Sequence, residues 1–141
     1  MTYLVDANVL SEPTKPQPDS RVVDWLTRHE GDLVVDPIIV GELRFGILLL
    51  PAGAKRQKLE AWFDAGVQRL HCVSWDGAIG ATWASLLATL RRKRLAMPIK
   101  DSLIAATALH HNFIIVTRNA GDFGKAGVRV LDPFSASQSA V

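Results

Sequence analysis

The run Ile99-Lys100-Asp101-Ser102-Leu103-Ile104-Ala105-Ala106-Thr107-Ala108-Leu109-His110 leads, through His111-Asn112, into Phe113-Ile114-Ile115-Val116. The first part follows Pro98 and has the length of a helix, but it lacks a broad polar face. A helix that is apolar nearly all round is usually internal. The second part is an unbroken apolar, β-branched run, the pattern of a strand buried on both faces. An internal helix feeding such a strand predicts an α/β sandwich around a mostly parallel sheet.

The same alternation continues on both sides. Tyr3-Leu4-Val5, Leu33-Val34-Val35, Val73 and Val128-Arg129-Val130-Leu131 read as further short strands. Helical spacing is found after Asp19-Ser20 in Val22, Val23 and Leu26, with a capping residue in front. Asp36-Pro37 opens a helix over Ile38 to Leu50, a capping side chain followed by proline at the first helical position. Lys55 to Arg69 is predicted as an amphipathic helix after the Pro51-Ala52-Gly53 break. From Asp76, the residues Ile79, Trp83, Leu86, Leu87 and Leu90 keep one apolar face up to Arg91-Arg92-Lys93-Arg94.

With 141 residues, 48% of them hydrophobic, one domain is expected, and about 70% of the unfolded chain's surface can be buried. The single cysteine, Cys72, excludes an internal disulfide and points to a reducing, cytoplasmic compartment. Lying beside Val73, it is expected to be a buried apolar residue. No apolar run approaches the roughly 18 residues of a membrane span, so no membrane partner is expected. Sixteen Lys and Arg against 14 Asp and Glu give a net charge of only +2. That total does not by itself announce a polyanion partner.

The acids that interrupt apolar segments carry the chemistry. Asp6 ends the first strand, and ligands in parallel α/β sheets bind at the carboxyl ends of strands; capping the next turn is the plainer alternative. Glu42 has Ile38, Ile39, Phe45 and Gly46 as its helical neighbours, so it lies in an apolar stripe. An acid there needs a charged partner or a cation, unless it reaches the helix edge or pairs with Arg44. Asp101 falls in the first turn of the internal helix, where acids also suit the macrodipole. Asp122 lies in the polar loop Thr117-Arg118-Asn119-Ala120-Gly121-Asp122-Phe123, whose composition turn chemistry alone explains. If these groups converge, their repulsion calls for a hard divalent cation with oxygen ligands. Such a site performs metal-assisted phosphodiester hydrolysis.

Four ordered motifs carry a resemblance: Leu4-Val5-Asp6-Ala7-Asn8-Val9, Val40-Gly41-Glu42-Leu43, Asp101-Ser102-Leu103-Ile104-Ala105-Ala106-Thr107-Ala108 and Val116-Thr117-Arg118-Asn119. Together they resemble the PIN domain, and most of all the VapC-type ribonuclease toxins of toxin–antitoxin pairs. Ser11-Glu12-Pro13 and Arg44-Phe45-Gly46 are similar to the FitB-like branch. The resemblance runs from about Thr2 to Pro133. It implies one nuclease domain over 1–133 and a three-layer sandwich with a central five-stranded sheet; the small, polar tail over 134–141 is expected from its composition to be disordered. It further implies a Mg²⁺- or Mn²⁺-dependent single-strand ribonuclease site with Asp6 and Asp101 as principal metal ligands. Glu42 would complete the acidic pocket and orient the attacking water. A homodimer is implied too, as is a small antitoxin whose C-terminal segment enters the active-site groove. Many members carry Asp where this chain has Asn119, and the nearest acid is Asp122, so the fourth ligand position is open between them.

Lys100 and Arg118 neighbour proposed site residues and, with Arg44, are candidates for holding substrate phosphate. The Arg91–Arg94 run is better explained as a solvated helix end that complements the dipole. Trp25, Trp62 and Trp83 lie on amphipathic helices and are expected in the core or a dimer contact. The histidines have no metal-ligand spacing, and no phosphate-binding glycine loop is present. Two rival readings remain. A phosphoryl-accepting receiver domain wants an adjacent acid pair at the first strand's end, where Val5-Asp6-Ala7 supplies one acid. A catalytically silent RNA- or partner-binding module would bind without cleaving.

Overall fold

The computed structural model describes residues 1–138 and 140. Among these the sheet has five strands: β1 (Tyr3–Val5), β2 (Leu33–Val35), β3 (His71–Cys72), β4 (Ile114–Val116) and β5 (Val130–Leu131). Every pairing is parallel, in the order β3-β2-β1-β4-β5. The chain thus winds outward from β1 to β3, crosses over, and resumes at β4 on the other side of β1. The carboxyl ends of β1 and β4 therefore flank a topological switch point, where such sheets open a crevice.

Seven α-helices accompany the strands among the described residues: α1 (Ala7–Leu10), α2 (Ser20–Arg28), α3 (Pro37–Leu48), α4 (Ala54–Ala65), α5 (Gly77–Arg92), α6 (Ile99–His111) and α7 (Ala120–Gly124). Side chains start several of them as expected. Asp19 accepts from Arg21 N–H at 2.9 Å, Asp36 from Ile39 N–H at 3.0 Å and Asp76 from Ile79 N–H at 3.1 Å. Helix α6 ends on Asn112 in the left-handed conformation. Every residue of β1 and β4 is buried, so the sheet centre is covered on both faces. Trp25, Phe63, Phe123, Ile39, Ile79 and Ile104 are the bulky buried groups around it. No helix among the described residues is long and apolar enough to cross a membrane.

Several local expectations are corrected. The helix predicted to Arg69 stops at Ala65, and a 3-10 turn follows over Val67–Arg69. The stop is Gly66, where a Cβ would come within 3.3 Å of the Trp62 carbonyl oxygen. Strand β3 forms at His71–Cys72 rather than at Val73, whose N–H still reaches Val35 O at 2.8 Å. Cys72 is exposed, because β3 is the edge strand. The polar loop after β4 coils into α7, burying Phe123. Beyond β5, Phe134 packs against the core, and Gln138 accepts from Arg28 at 2.9 Å and donates to Arg21 O at 3.1 Å. The rest of the tail expectation, at Ser139 and Val141, lies outside the described residues.

Candidate active site

Asp6 follows β1 directly and is 4% exposed. One carboxylate oxygen caps α1, accepting from Ala7 N–H at 2.8 Å, and the other accepts from the Thr117 hydroxyl at 2.7 Å. The capping reading of Asp6 therefore holds, and the same carboxylate stands at the carboxyl end of β1 beside β4. Thr117 is the residue that sequence reasoning passed over. The signal was present: Val5 pairs with Val116 across the switch point, so the next residues on the two strands, Asp6 and Thr117, stand side by side. Finding it required knowing that β4 lies beside β1.

Glu42 extends from α3 toward Lys100, whose Nζ stands 3.1 Å from Oε2. The other oxygen, Oε1, is buried without a hydrogen-bond partner. Asp101, in the first turn of α6, is 7% exposed. Burial pushes all three carboxyls above the ordinary carboxylate range. Their mutual repulsion adds to this: Asp6 and Asp101 raise Glu42, while Asp6 and Asp122 raise Asp101. Lys100 opposes the shift in every case. For Asp6, the hydrogen bonds from Thr117 and Ala7 also oppose it, but burial prevails.

The remaining candidates separate by position. Asp122 joins the edge of the cluster through its field on Asp101, and its carboxylate meets Lys125 Nζ at 3.3 Å. Asn119 precedes α7 without capping it, and its N–H donates to Thr117 Oγ1 at 3.0 Å, one step from Asp6. Of the three cationic candidates, Lys100 alone is paired with a cluster acid. Arg44 lies about 200° around the helix from Glu42, and its guanidinium rests over the Phe63 ring at 5.6 Å. Arg118 donates its N–H to Asn8 at 3.2 Å, and its guanidinium stacks on Phe134 at 4.4 Å.

The donor set is all oxygen, which suits a hard divalent cation. Among the described residues no three His, Cys, Asp or Glu side chains stand close enough to cage an ion by themselves. An ion held here would have to be of a kind that takes few carboxylates and keeps several waters, as Mg²⁺ does. The unpartnered Glu42 Oε1 is the observation that fits: a buried acceptor beside two further acids has no hydrogen-bond donor, although Lys100 meets the other oxygen. A cavity of about 800 Å³ lies elsewhere, between Pro13–Pro16 and the Lys55, Lys58 and Trp62 side of α4.

The comparisons with known proteins agree with this geometry. A model of the PIN domain matches residues 3–128. Toxin FitB of Neisseria gonorrhoeae is 34% identical over 135 residues, 93% of this chain and 97% of that protein. VapC ribonuclease Y4jK of Sinorhizobium fredii is 30% identical over 135 residues, covering 93% and 96%. The crystal structure of FitAcB from Neisseria gonorrhoeae superposes with a TM-score of 0.88 at 34% identity, over 94% of this chain and 99% of that one. Acids at the ends of β1, in α3 and at the start of α6, on a five-stranded parallel sheet, are thus set in a chain that belongs to the PIN-domain family.

Proposed function

We propose that this protein is a metal-dependent endoribonuclease, the toxin of a type II toxin–antitoxin pair, which hydrolyses RNA phosphodiester bonds in the cytoplasm. The observation that carries the reading is the convergence of Asp6, Glu42 and Asp101 at the switch point with a buried carboxylate oxygen left unpartnered. The names of two relatives, a toxin and a ribonuclease, support it. Asp6, Asp101 and Glu42 are the residues that would hold Mg²⁺ or Mn²⁺, with Asp122 at the margin and Asn119 in place of a further acid. When bound, the ion supplies Lewis acidity toward the phosphodiester and lowers the pKa of water.

The chain's own groups do the rest. Thr117 and the start of α1 fix both oxygens of Asp6. Glu42 Oε1 accepts the proton of the attacking water, and its raised pKa brings it nearer the working range of a general base. Lys100 and, farther out, Arg118 balance phosphate charge at the rim. A small antitoxin silences the enzyme by filling this groove. Two copies associate through the apolar face of α3, where Phe45, Leu48 and Leu49 are 62%, 51% and 68% exposed.

The test is cleavage of single-stranded RNA by the purified chain with Mg²⁺ or Mn²⁺. Asp6→Asn and Asp101→Asn are each expected to lower the rate at least about 100-fold, in keeping with the loss of a charge essential to a transition state. Circular dichroism should show both variants folded. Undiminished cleavage by either one, or by the parent in excess chelator, defeats the proposal. RNA binding that ignores chelator, with no cleavage of any RNA supplied, would favour the silent binding module instead.

A further inference from the structure

Two buried acids, Glu12 and Asp36, have no part in the proposed chemistry, and Asp36 is the one that joins two site helices. Asp36, at the end of β2, is 0% exposed. Its Oδ1 caps α3 through Ile39 N–H at 3.0 Å. Its Oδ2 accepts from the hydroxyl of Thr107 on α6 at 2.8 Å, and Thr107 is likewise 0% exposed. The Trp75 indole N–H donates to the same hydroxyl oxygen at 3.1 Å, so the hydroxyl proton is left to Asp36.

The place of this contact matters more than its strength. Asp36 precedes Glu42 on α3 by six residues, and Thr107 follows Asp101 on α6 by six. A second bridge between these helices is Glu42 to Lys100. As the number rises along α3 from 36 to 42, its partner on α6 falls from 107 to 100. The two helices are therefore antiparallel at one fixed register, and that register sets Glu42 against Asp101. The Lys100 end of this ladder is 54% exposed at the lysine and flexible in kind. The Asp36–Thr107 end is dry and directional.

We infer that the buried Asp36–Thr107 hydrogen bond, backed by Trp75, is a positioning clasp that holds the α3 acid Glu42 in register with the α6 acid Asp101. This rests on the proposed function insofar as those two acids share one centre. Reacting groups displaced by about 1 Å lose on the order of 100-fold in rate. A clasp six residues away along each helix reaches the chemistry by that route, without touching substrate.

The test compares Thr107→Val, Thr107→Ser and Asp36→Asn with the parent, reading kcat and KM on a short single-stranded RNA and Mn²⁺ affinity by electron paramagnetic resonance. Thr107→Val keeps shape but removes the hydroxyl. Asp36→Asn keeps a capping side chain but turns the Oδ2 acceptor into a donor. Both are expected to lower kcat at least about tenfold and weaken Mn²⁺ binding about fivefold, with KM within twofold. Thr107→Ser is expected to stay within twofold of the parent in all three. Val22→Ala, a core truncation in α2, supplies a destabilised control with kcat unchanged. Folded Thr107→Val or Asp36→Asn with the parent's kcat and Mn²⁺ affinity overturns the clasp, as does a Ser variant as impaired as the Val variant. If instead the parent neither cleaves nor binds Mn²⁺, the nuclease reading fails and the clasp falls with it.

Discussion

Asp101 is held where its charge is least favourable. Burial first, then the fields of Asp6 and Asp122, lift its carboxyl above the ordinary range, against the pull of Lys100. The folded chain thus binds that proton more tightly than the unfolded chain does. Ionising it therefore costs stability as pH rises from the ordinary carboxylate range through the raised value, and the whole penalty is present above it. Glu42 and Asp6 act with the same sign. Without divalent ions at pH 7, Asp101→Asn is expected to melt about 3 °C above the parent, the equivalent of about 1 kcal/mol in a chain of this size. The gap should close toward pH 4, where the parent's carboxyl regains its proton. Millimolar Mn²⁺ should reverse the order, since only the parent keeps the full ligand set. Calorimetric scans at two pH values settle it; an Asn variant that melts lower at neutral pH would show that the acid cluster is not strained.

At the scale of elements, local signals were reliable where one residue both ends a segment and satisfies its backbone. Asp19, Asp36 and Asp76 mark three helix starts by bonds to the N–H groups that would otherwise be unpaired. The signals misled where an element's environment, not its own pattern, decides its exposure. Val73 and Cys72 read as one buried strand, yet β3 pairs only with β2 and leaves Cys72 at the sheet edge. One thiol per folded chain is accordingly expected to react with an aromatic disulfide reagent. The rate should be slower than that of free cysteine at the same pH, because partial burial, then Asp36, push this thiol's pKa up and thin its thiolate. Absence of labelling until denaturant is added would return Cys72 to the core.

At the scale of the whole molecule, what stands out is an apolar patch on the same helix as a site residue. Phe45, Leu48 and Leu49 lie three to seven residues beyond Glu42 on one side of α3 and its end, and all face solvent. Contiguous exposed apolar groups of this size mark interaction surfaces. The double change Phe45→Glu with Leu49→Glu is expected to convert a dimer to a monomer in light scattering, with the melting of the separated chain still cooperative. A parent that is monomeric at all concentrations would remove the dimer from the proposed function.

Much of the fold was legible in the sequence alone. Most strand and helix positions, the internal α6 and the choice of Asp6, Glu42 and Asp101 as candidates rest on near neighbours along the chain: periodicity, caps, and acids stranded in apolar stripes. The tertiary structure decided what neighbours along the chain cannot specify. It placed β4 beside β1, which brought Thr117 to Asp6 from 111 residues away. It turned Arg44 onto Phe63 while Lys100 met Glu42, and it set α3 against α6 through Asp36 and Thr107. These contacts depend on which surfaces meet when the sheet closes its core, and that is a matter of packing among segments far apart in sequence.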